Sequence, residues 1–268
     1  MPVTGFDFKD KYDIGDLLAI MRILRSEDGC PWDKVQTHES IRMDLIEETY
    51  EACEAIDKGD SAHLREELGD VLLQVVFHSV IEEEQGRFTF GDTVNDLCHK
   101  LVSRHPHVFG DVKADTVGEA LSSWNDRKQE EHGQETYTDT LNGVSSAFPA
   151  LMRAQKVGKR AARAGLDFRT AEDALASLES EIAEVRSADS EHEAEEMGDM
   201  LFAAVNAVRL KGYNAEELLT RATEKFIGRF AAVEDMIRCE GKDMRSLDID
   251  TLDTYWEKAK TTHGGNQT

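Results

Sequence analysis

With 268 residues, 40% of them hydrophobic, the chain is long enough for one large domain or two ordinary ones, and apolar enough to be globular. Against 54 Asp and Glu stand only 31 Lys and Arg, a net charge of −23. That balance excludes non-specific binding to a nucleic acid polymer or an anionic membrane, which needs a basic surface, and suits a soluble protein whose acidic sites take divalent cations.

The elements follow in chain order. Leu17, Leu18, Met21 and Leu24 mark a first helix that stops before Gly29-Cys30-Pro31. Residues 37–56 carry Ile41, Leu45, Cys53 and Ile56 on a second stripe, closed by Gly59. Ser61 is the expected N-cap of a long helix that Gly86 ends, and 88–90 reads as a turn. Residues 93–105 and 115–131 read as two further helices. The apolar run 71–81 is too short to span a bilayer and is interrupted by Gln74 and His78. A polar stretch rich in Gly, Thr and Ser, 133–146, reads as a linker between domains at 1–132 and 147–268. Beyond it, helices are expected over 149–163, 170–186, 190–211, 214–239 and 251–260. No sustained alternation of apolar and polar residues argues for a sheet. The four cysteines form no CxxC pair and read as reduced structural thiols. The N-terminus has neither a basic n-region nor an apolar h-region, so the cytoplasm is the expected location.

The two halves repeat. Glu66-Glu67-Leu68-Gly69-Asp70 leads into an apolar run, and Glu195-Glu196-Met197-Gly198-Asp199 leads into another. Leu72 and Val76 recur as Leu201 and Val205. The expected fold is therefore all-α, two similar helical-bundle domains from an internal duplication. Charged groups leading into a core helix must be paired or hold metal. One helix earlier lies a second acidic cluster, Glu47, Glu48 and Glu51 in the first half, Glu181 and Glu184 in the second. At about 100° per residue, Glu47, Glu51 and Glu48 fall at roughly 0°, 40° and 100°, on one face. Glu67 and Asp70 share a face likewise. Antiparallel neighbours joined by a short turn would then converge Glu48, Glu51, Glu67 and Asp70, or Glu181, Glu184, Glu196 and Asp199. All-oxygen clusters suit Mg²⁺, and four carboxylates suit two or more ions per site with a polyphosphate between them. A solvated acidic face is the alternative for any one cluster taken alone.

Lys100 and Arg104 stand four apart, as do Lys225 and Arg229, positioned either to grip phosphates or to form an ordinary solvent face. Trp124 with Lys128, and Trp256 with Lys260, end each half; the tryptophans either stack on a base or cap the core. Trp32 reads as a core plug, and His105-Pro106-His107 as a helix stop. No GxxxxGK[ST] loop and no GxGxxG after a strand occurs, and Ala62-His63 stands where a Nudix helix needs Arg-Glu.

These residues resemble the MazG family of all-α nucleoside triphosphate pyrophosphohydrolases. Glu47-Glu48-x-x-Glu51 followed by Glu67-x-x-Asp70 carries the likeness. So do Cys30-Pro31-Trp32-Asp33-x-x-Gln36-Thr37-His38, Arg104-His105-Pro106-His107-Val108-Phe109 and Ala150-Leu151-Met152-Arg153-Ala154-Gln155-Lys156. The resemblance implies hydrolysis of nucleoside triphosphates to monophosphate and pyrophosphate, with Mg²⁺ (Mn²⁺ as substitute), in a homodimer. It implies metal ligands at Glu48, Glu51, Glu67 and Asp70, and at Glu181, Glu184, Glu196 and Asp199, with Glu47 among the catalytic residues. Nucleotide would meet Lys225, Phe226, Ile227, Gly228, Arg229 and Trp256, with Lys100, Arg104, Trp124 and Lys128 as counterparts. The second site would also be lined by Ser177, Leu178, Glu179, Ser180 and Glu181, and by His192, Glu193, Ala194 and Glu195. One departure matters: Ser180 stands where the first half has Glu47. Rival readings are a pyrophosphatase selective for one modified or deoxy nucleotide, and a nucleotide- or Mg²⁺-binding regulatory protein with one or both sites inactive.

Overall fold

The computed structural model describes residues 6–114, 116–131 and 136–263; the side chains of 125, 126, 128–130, 262 and 263 lie outside the described residues, and with them that of Lys128. Among the described residues there are twelve α-helices and no strand, an all-α fold. The chain divides into two compact units, Met1–Lys128 and Gln129–Thr268.

In the first unit, α1 (Ile14–Arg25) begins in a capping box in which Asp13 and Asp16 each accept from the other's backbone N–H. Helix α2 (Arg42–Lys58) starts later than its apolar stripe suggests. Thr37 and Ser40 accept hydrogen bonds from each other's backbone N–H, which holds that turn out of the helix. Gly59, at φ 65°, closes α2 in the left-handed conformation that glycine adopts most readily. Helix α3 (Ser61–Glu84) follows at once, and its cap is Asp60 rather than Ser61: the Asp60 carboxylate accepts from the Ala62 and His63 N–H groups. Helix α4 (Phe90–Arg104) starts at Phe90, because Thr89 and Asp92 form a capping box that takes in the end of the expected turn. The His105–Pro106 step ends it, and Pro106 opens the short α5 (Pro106–Phe109) before α6 (Val117–Glu131). Met21, Ile41, Val76, Phe77, Val80 and Ile81 form the core of this unit, with Leu17, Leu18, Leu73 and Phe90 against it. Full burial of each such side chain contributes about 1.5–3 kcal/mol, and this core fixes α3 between α1 and the start of α2. Trp32 does not plug it: the indole is 57% exposed and meets Phe77 edge-on at 6.5 Å.

The stretch expected as a linker contains a helix, α7 (Tyr137–Asn142), capped by Thr136 and Asp139. It is too short to display a helical stripe. It is held to α8 (Ala150–Arg163) by a hydrogen bond from the Arg160 guanidinium to the Thr140 carbonyl, and Val144 behind it is buried. The second unit continues with α9 (Ala171–Ser187), α10 (Glu193–Leu210), α11 (Ala215–Cys239) and α12 (Ile249–His263). Gly158 lets α8 approach α10 closely, since a Cβ there would meet the Asn206 amide oxygen at 2.6 Å. A second core, Val233, Ile237, Tyr255 and Ala259, joins α11 to α12. The four cysteines are free thiols, and Cys53, Cys98 and Cys239 are exposed rather than sunk in a core. No described helix is long and apolar enough to cross a membrane.

Candidate functional site

The tight turn Gly59–Asp60 brings α2 back along α3, and the pairing sets acidic residues of both helices against each other. Glu48 from α2 and Glu67 and Asp70 from α3 each offer a carboxylate oxygen within 4.8 Å of the others. Glu67 is buried, and His63, one turn earlier on α3, reaches it with Nε2 at 2.8 Å. Glu51 lies outside this innermost group, one turn along α2. Burial first, then the charges of Asp70, Glu51, Glu67 and Glu47, push the Glu48 carboxyl above its ordinary range. Glu47 itself is exposed on the same helix.

The second unit repeats the arrangement on α9 and α10. Here Glu181, Glu184 and Glu196 bring oxygens within 4.8 Å, and Asp199 is outside the innermost group. Burial, then Glu184, Asp199 and Glu196, raise the Glu181 carboxyl. Ser180, in the place of Glu47, donates its hydroxyl to Glu184 at 3.0 Å. Of the expected nucleotide-binding segments, Ser177 and Leu178 are half-buried on α9, whereas Glu179 and Ser180 are exposed. Glu193, Ala194 and Glu195 are exposed in the first turn of α10, and His192 before them is held by Asp189 at 2.7 Å.

Both clusters fit a divalent cation. Their donors are all carboxylate oxygens, the hard ligands such ions select, and like charges this close demand a neutralising partner. The buried Glu67 meets His63 at 2.8 Å, and a cation would add to the compensation that a desolvated carboxylate requires.

In each unit the expected tryptophan meets one of the expected nucleotide-binding residues. In the first unit the Arg104 guanidinium, only 5% exposed, lies 5.1 Å from the Trp124 ring centre, so the two cover each other. Lys100 is exposed one turn earlier on α4. In the second unit Phe226 packs on Trp256 with ring centres 5.0 Å apart. Lys225 and Ile227 are exposed there, and Gly228 and Arg229 half-buried, with the Arg229 Nε buried and unpartnered. His105 and His107, 5.7 Å apart, flank the helix stop.

A polar group at the other end of α3 escaped sequence reasoning. His38 and His78 stack with Nδ1 atoms 2.7 Å apart. His38 also meets Glu82, which a bidentate pair with Arg87 secures. The available signal was the spacing: His63, Glu67, Asp70, Gln74, His78 and Glu82 recur every three or four residues along one helix.

The chain is similar to known proteins over most of its length. A family model described as the MazG nucleotide pyrophosphohydrolase domain matches residues 36–109. Over 254 residues the chain is 42% identical to the nucleoside triphosphate pyrophosphohydrolase/pyrophosphatase MazG of Thermotoga maritima, covering 94% of this chain and 96% of that protein. It is 43% identical over 254 residues to the nucleoside triphosphate pyrophosphohydrolase of Escherichia coli K12, covering 92% and 97%. A crystal structure of a mazG-related protein from Thermotoga maritima is similar over 43% of this chain and 99% of that one, at 29% identity and a TM-score of 0.38.

Proposed function

The chain belongs to the MazG nucleotide pyrophosphohydrolases, and from that premise we propose that it is a cytoplasmic, Mg²⁺-dependent enzyme that cuts nucleoside triphosphates of any base to monophosphate and pyrophosphate. The observation that carries this reading is the pair of carboxylate groups, each built across two antiparallel helices with oxygens within 4.8 Å. Glu48, Glu51, Glu67 and Asp70 would hold the ions of the first site, two or more, with Mn²⁺ as a substitute. Glu181, Glu184, Glu196 and Asp199 would hold those of the second. When bound, the metal neutralises triphosphate charge and makes the α-phosphorus more electrophilic.

The chain's own residues do the rest. Glu47, exposed beside Glu48, orients the attacking water and takes its proton as the new oxygen–phosphorus bond forms. The bridge between the α-phosphorus and the β-phosphate breaks in line, and pyrophosphate leaves. Lys100 and Arg104, and Lys225 and Arg229 in the second unit, bind phosphate oxygens. Trp124 and Trp256 close their sites over the nucleoside, the second together with Phe226. The 177–181 and 192–195 segments line the second site. With Ser180 in place of Glu47, the first site performs most of the turnover.

The working form is a homodimer. Its support is an apolar surface on the site helices: Met43, Ile46 and Tyr50 on α2, and Leu68, Leu72 and Val75 on α3, are all exposed. Hydrolysis in ¹⁸O water tests the reaction. Label is expected in the nucleoside monophosphate, and label in pyrophosphate overturns attack at the α-phosphorus.

A further inference from the structure

Gln74 is 6% exposed, and its carbonyl oxygen is buried with no hydrogen-bond partner. The second unit shows how such a residue is ordinarily accommodated. Gln155 is buried to the same degree, yet its amide donates to the Tyr213 carbonyl at 2.9 Å and accepts from the Ala215 N–H at 2.8 Å. A buried amide acceptor left unpaired is costly, so the position calls for a partner that the chain does not supply, a water or a group of a ligand. Gln74 stands one turn beyond Asp70, on the face of α3 that carries Glu67 and Asp70. One further turn on, His78 has its Nδ1 engaged by His38. Gln74 thus stands between His78, which His38 engages, and Asp70, which the proposed cation site takes up.

The duplication makes the position informative. Pairing Glu67 with Glu196, Asp70 with Asp199 and Val76 with Val205 aligns Gln74 with Ala203 and His78 with Ala207. Both alanines are buried. The carboxylates that handle metal and phosphate are therefore common to the two sites. The next two positions of the row are polar in the first unit and alanine in the second.

We propose that Gln74 is a specificity-determining residue of the first site, accepting a hydrogen bond from a donor on the nucleoside of the bound triphosphate. This rests on the pyrophosphohydrolase reading above. The donor is an N–H of the base or a hydroxyl of the sugar, and the amide nitrogen is then free to donate to a neighbouring acceptor, the two-point recognition by which glutamine reads a base edge. Within a broad range of accepted bases a buried acceptor ranks the nucleotides, because one lacking the donor leaves it desolvated and unpaired. The second site, with Ala203 there, has no such reader.

The test uses the full chain with the second site silenced by Glu181→Ala, and measures pyrophosphate release from nucleotide pairs that differ in one donor. ATP against purine riboside triphosphate and GTP against ITP probe the base; each ribonucleotide against its 2′-deoxy form probes the sugar. In at least one pair kcat/KM is expected to differ about 10- to 100-fold. Gln74→Met, near-isosteric but without the acceptor, is expected to bring that ratio close to one and leave the other pairs unchanged. Gln74→Asn, which keeps the amide but withdraws it by a methylene, serves if the methionine variant does not fold, with the same expectation. A uniform loss over all nucleotides, or ratios unaltered by either variant, overturns the inference and leaves the enzyme reading intact. Absence of pyrophosphate release from every nucleotide in the unsubstituted protein overturns the enzyme reading itself.

Discussion

The Ser180 hydroxyl donates to Glu184 across 3.0 Å, at the place in α9 where α2 carries Glu47. A serine cannot serve as a general base, so on the proposed reading the second cluster would keep cation-binding chemistry and lack the proton acceptor of the first. Glu48→Ala is accordingly expected to lower kcat by about 100-fold or more, whereas Glu181→Ala changes it by less than about threefold. Pyrophosphate release from both variants checks this, and equal losses would sink the asymmetry.

Metal and pH act on the same clusters. Burial, then neighbouring carboxylates, raise the folded-state pKa of Glu48 and Glu181 above the ordinary value of 4.5. A raised carboxyl contributes its stability below the unfolded value and loses it as pH rises through the folded one. The metal-free protein is therefore destabilised at neutral and alkaline pH, where bound Mg²⁺ would relieve the repulsion. Saturating Mg²⁺ at pH 8 is expected to raise the unfolding midpoint on the order of 5 °C over protein in EDTA, and much less at pH 4.5. Scanning fluorimetry at both pH values measures it; a midpoint indifferent to Mg²⁺ contradicts cation binding by the carboxylates.

Ile41, 1% exposed, sits at the N-cap of α2 and anchors the helix that carries Glu47 and Glu48. Ile41→Ala should cost about 2–5 kcal/mol, the transfer term plus the cavity. Denaturant titration reads the loss as a lower midpoint at unchanged slope. Because α2 is then less firmly placed, activity is expected to fall at temperatures well below the wild-type midpoint.

At the far end of α3, hydrogen bonds from Arg87 and then His38 hold the Glu82 carboxyl down to about 2. A depressed carboxyl contributes its stability above the unfolded value of 4.5 and loses it as pH falls toward 2. His78, whose pKa burial lowers, loses stability over a higher window, as pH falls through its ordinary 6.5 and the buried ring must charge. Arg87→Met should therefore move acid unfolding of the first unit to higher pH, followed by circular dichroism from pH 7 to 2. An acid transition identical to wild type would falsify the role given to this pair.

Periodicity was enough to read the helical class, the duplication and the acidic residues of the clusters. Glu48, Glu67 and Asp70 announce themselves because an i, i+3 spacing places carboxylates on one face whatever surrounds them. Helix starts were less legible. Asp60 takes the cap expected of Ser61, and Thr37 with Ser40 delays α2, because local side-chain hydrogen bonds compete with the helix over single residues. Helix α7 was missed because six residues are too few to show a stripe. Trp32 was misplaced because an aromatic beside a proline carries no mark of which side faces solvent.

By itself the sequence determined which chemistry the chain carries: carboxylates at helical spacing, set twice against apolar runs, and a serine that breaks the symmetry. Covalent order suffices for that, since helix geometry turns spacing into faces. Only the tertiary structure decided which of those groups meet. It drew Glu48 to Glu67 and Asp70, with Glu51 one turn along the helix; it folded Arg104 onto Trp124. It also turned Gln74 from an interruption in an apolar run into a buried amide with an open acceptor. Hydrogen-bond satisfaction depends on every neighbour packed around a group, and those neighbours come from helices far apart in the chain.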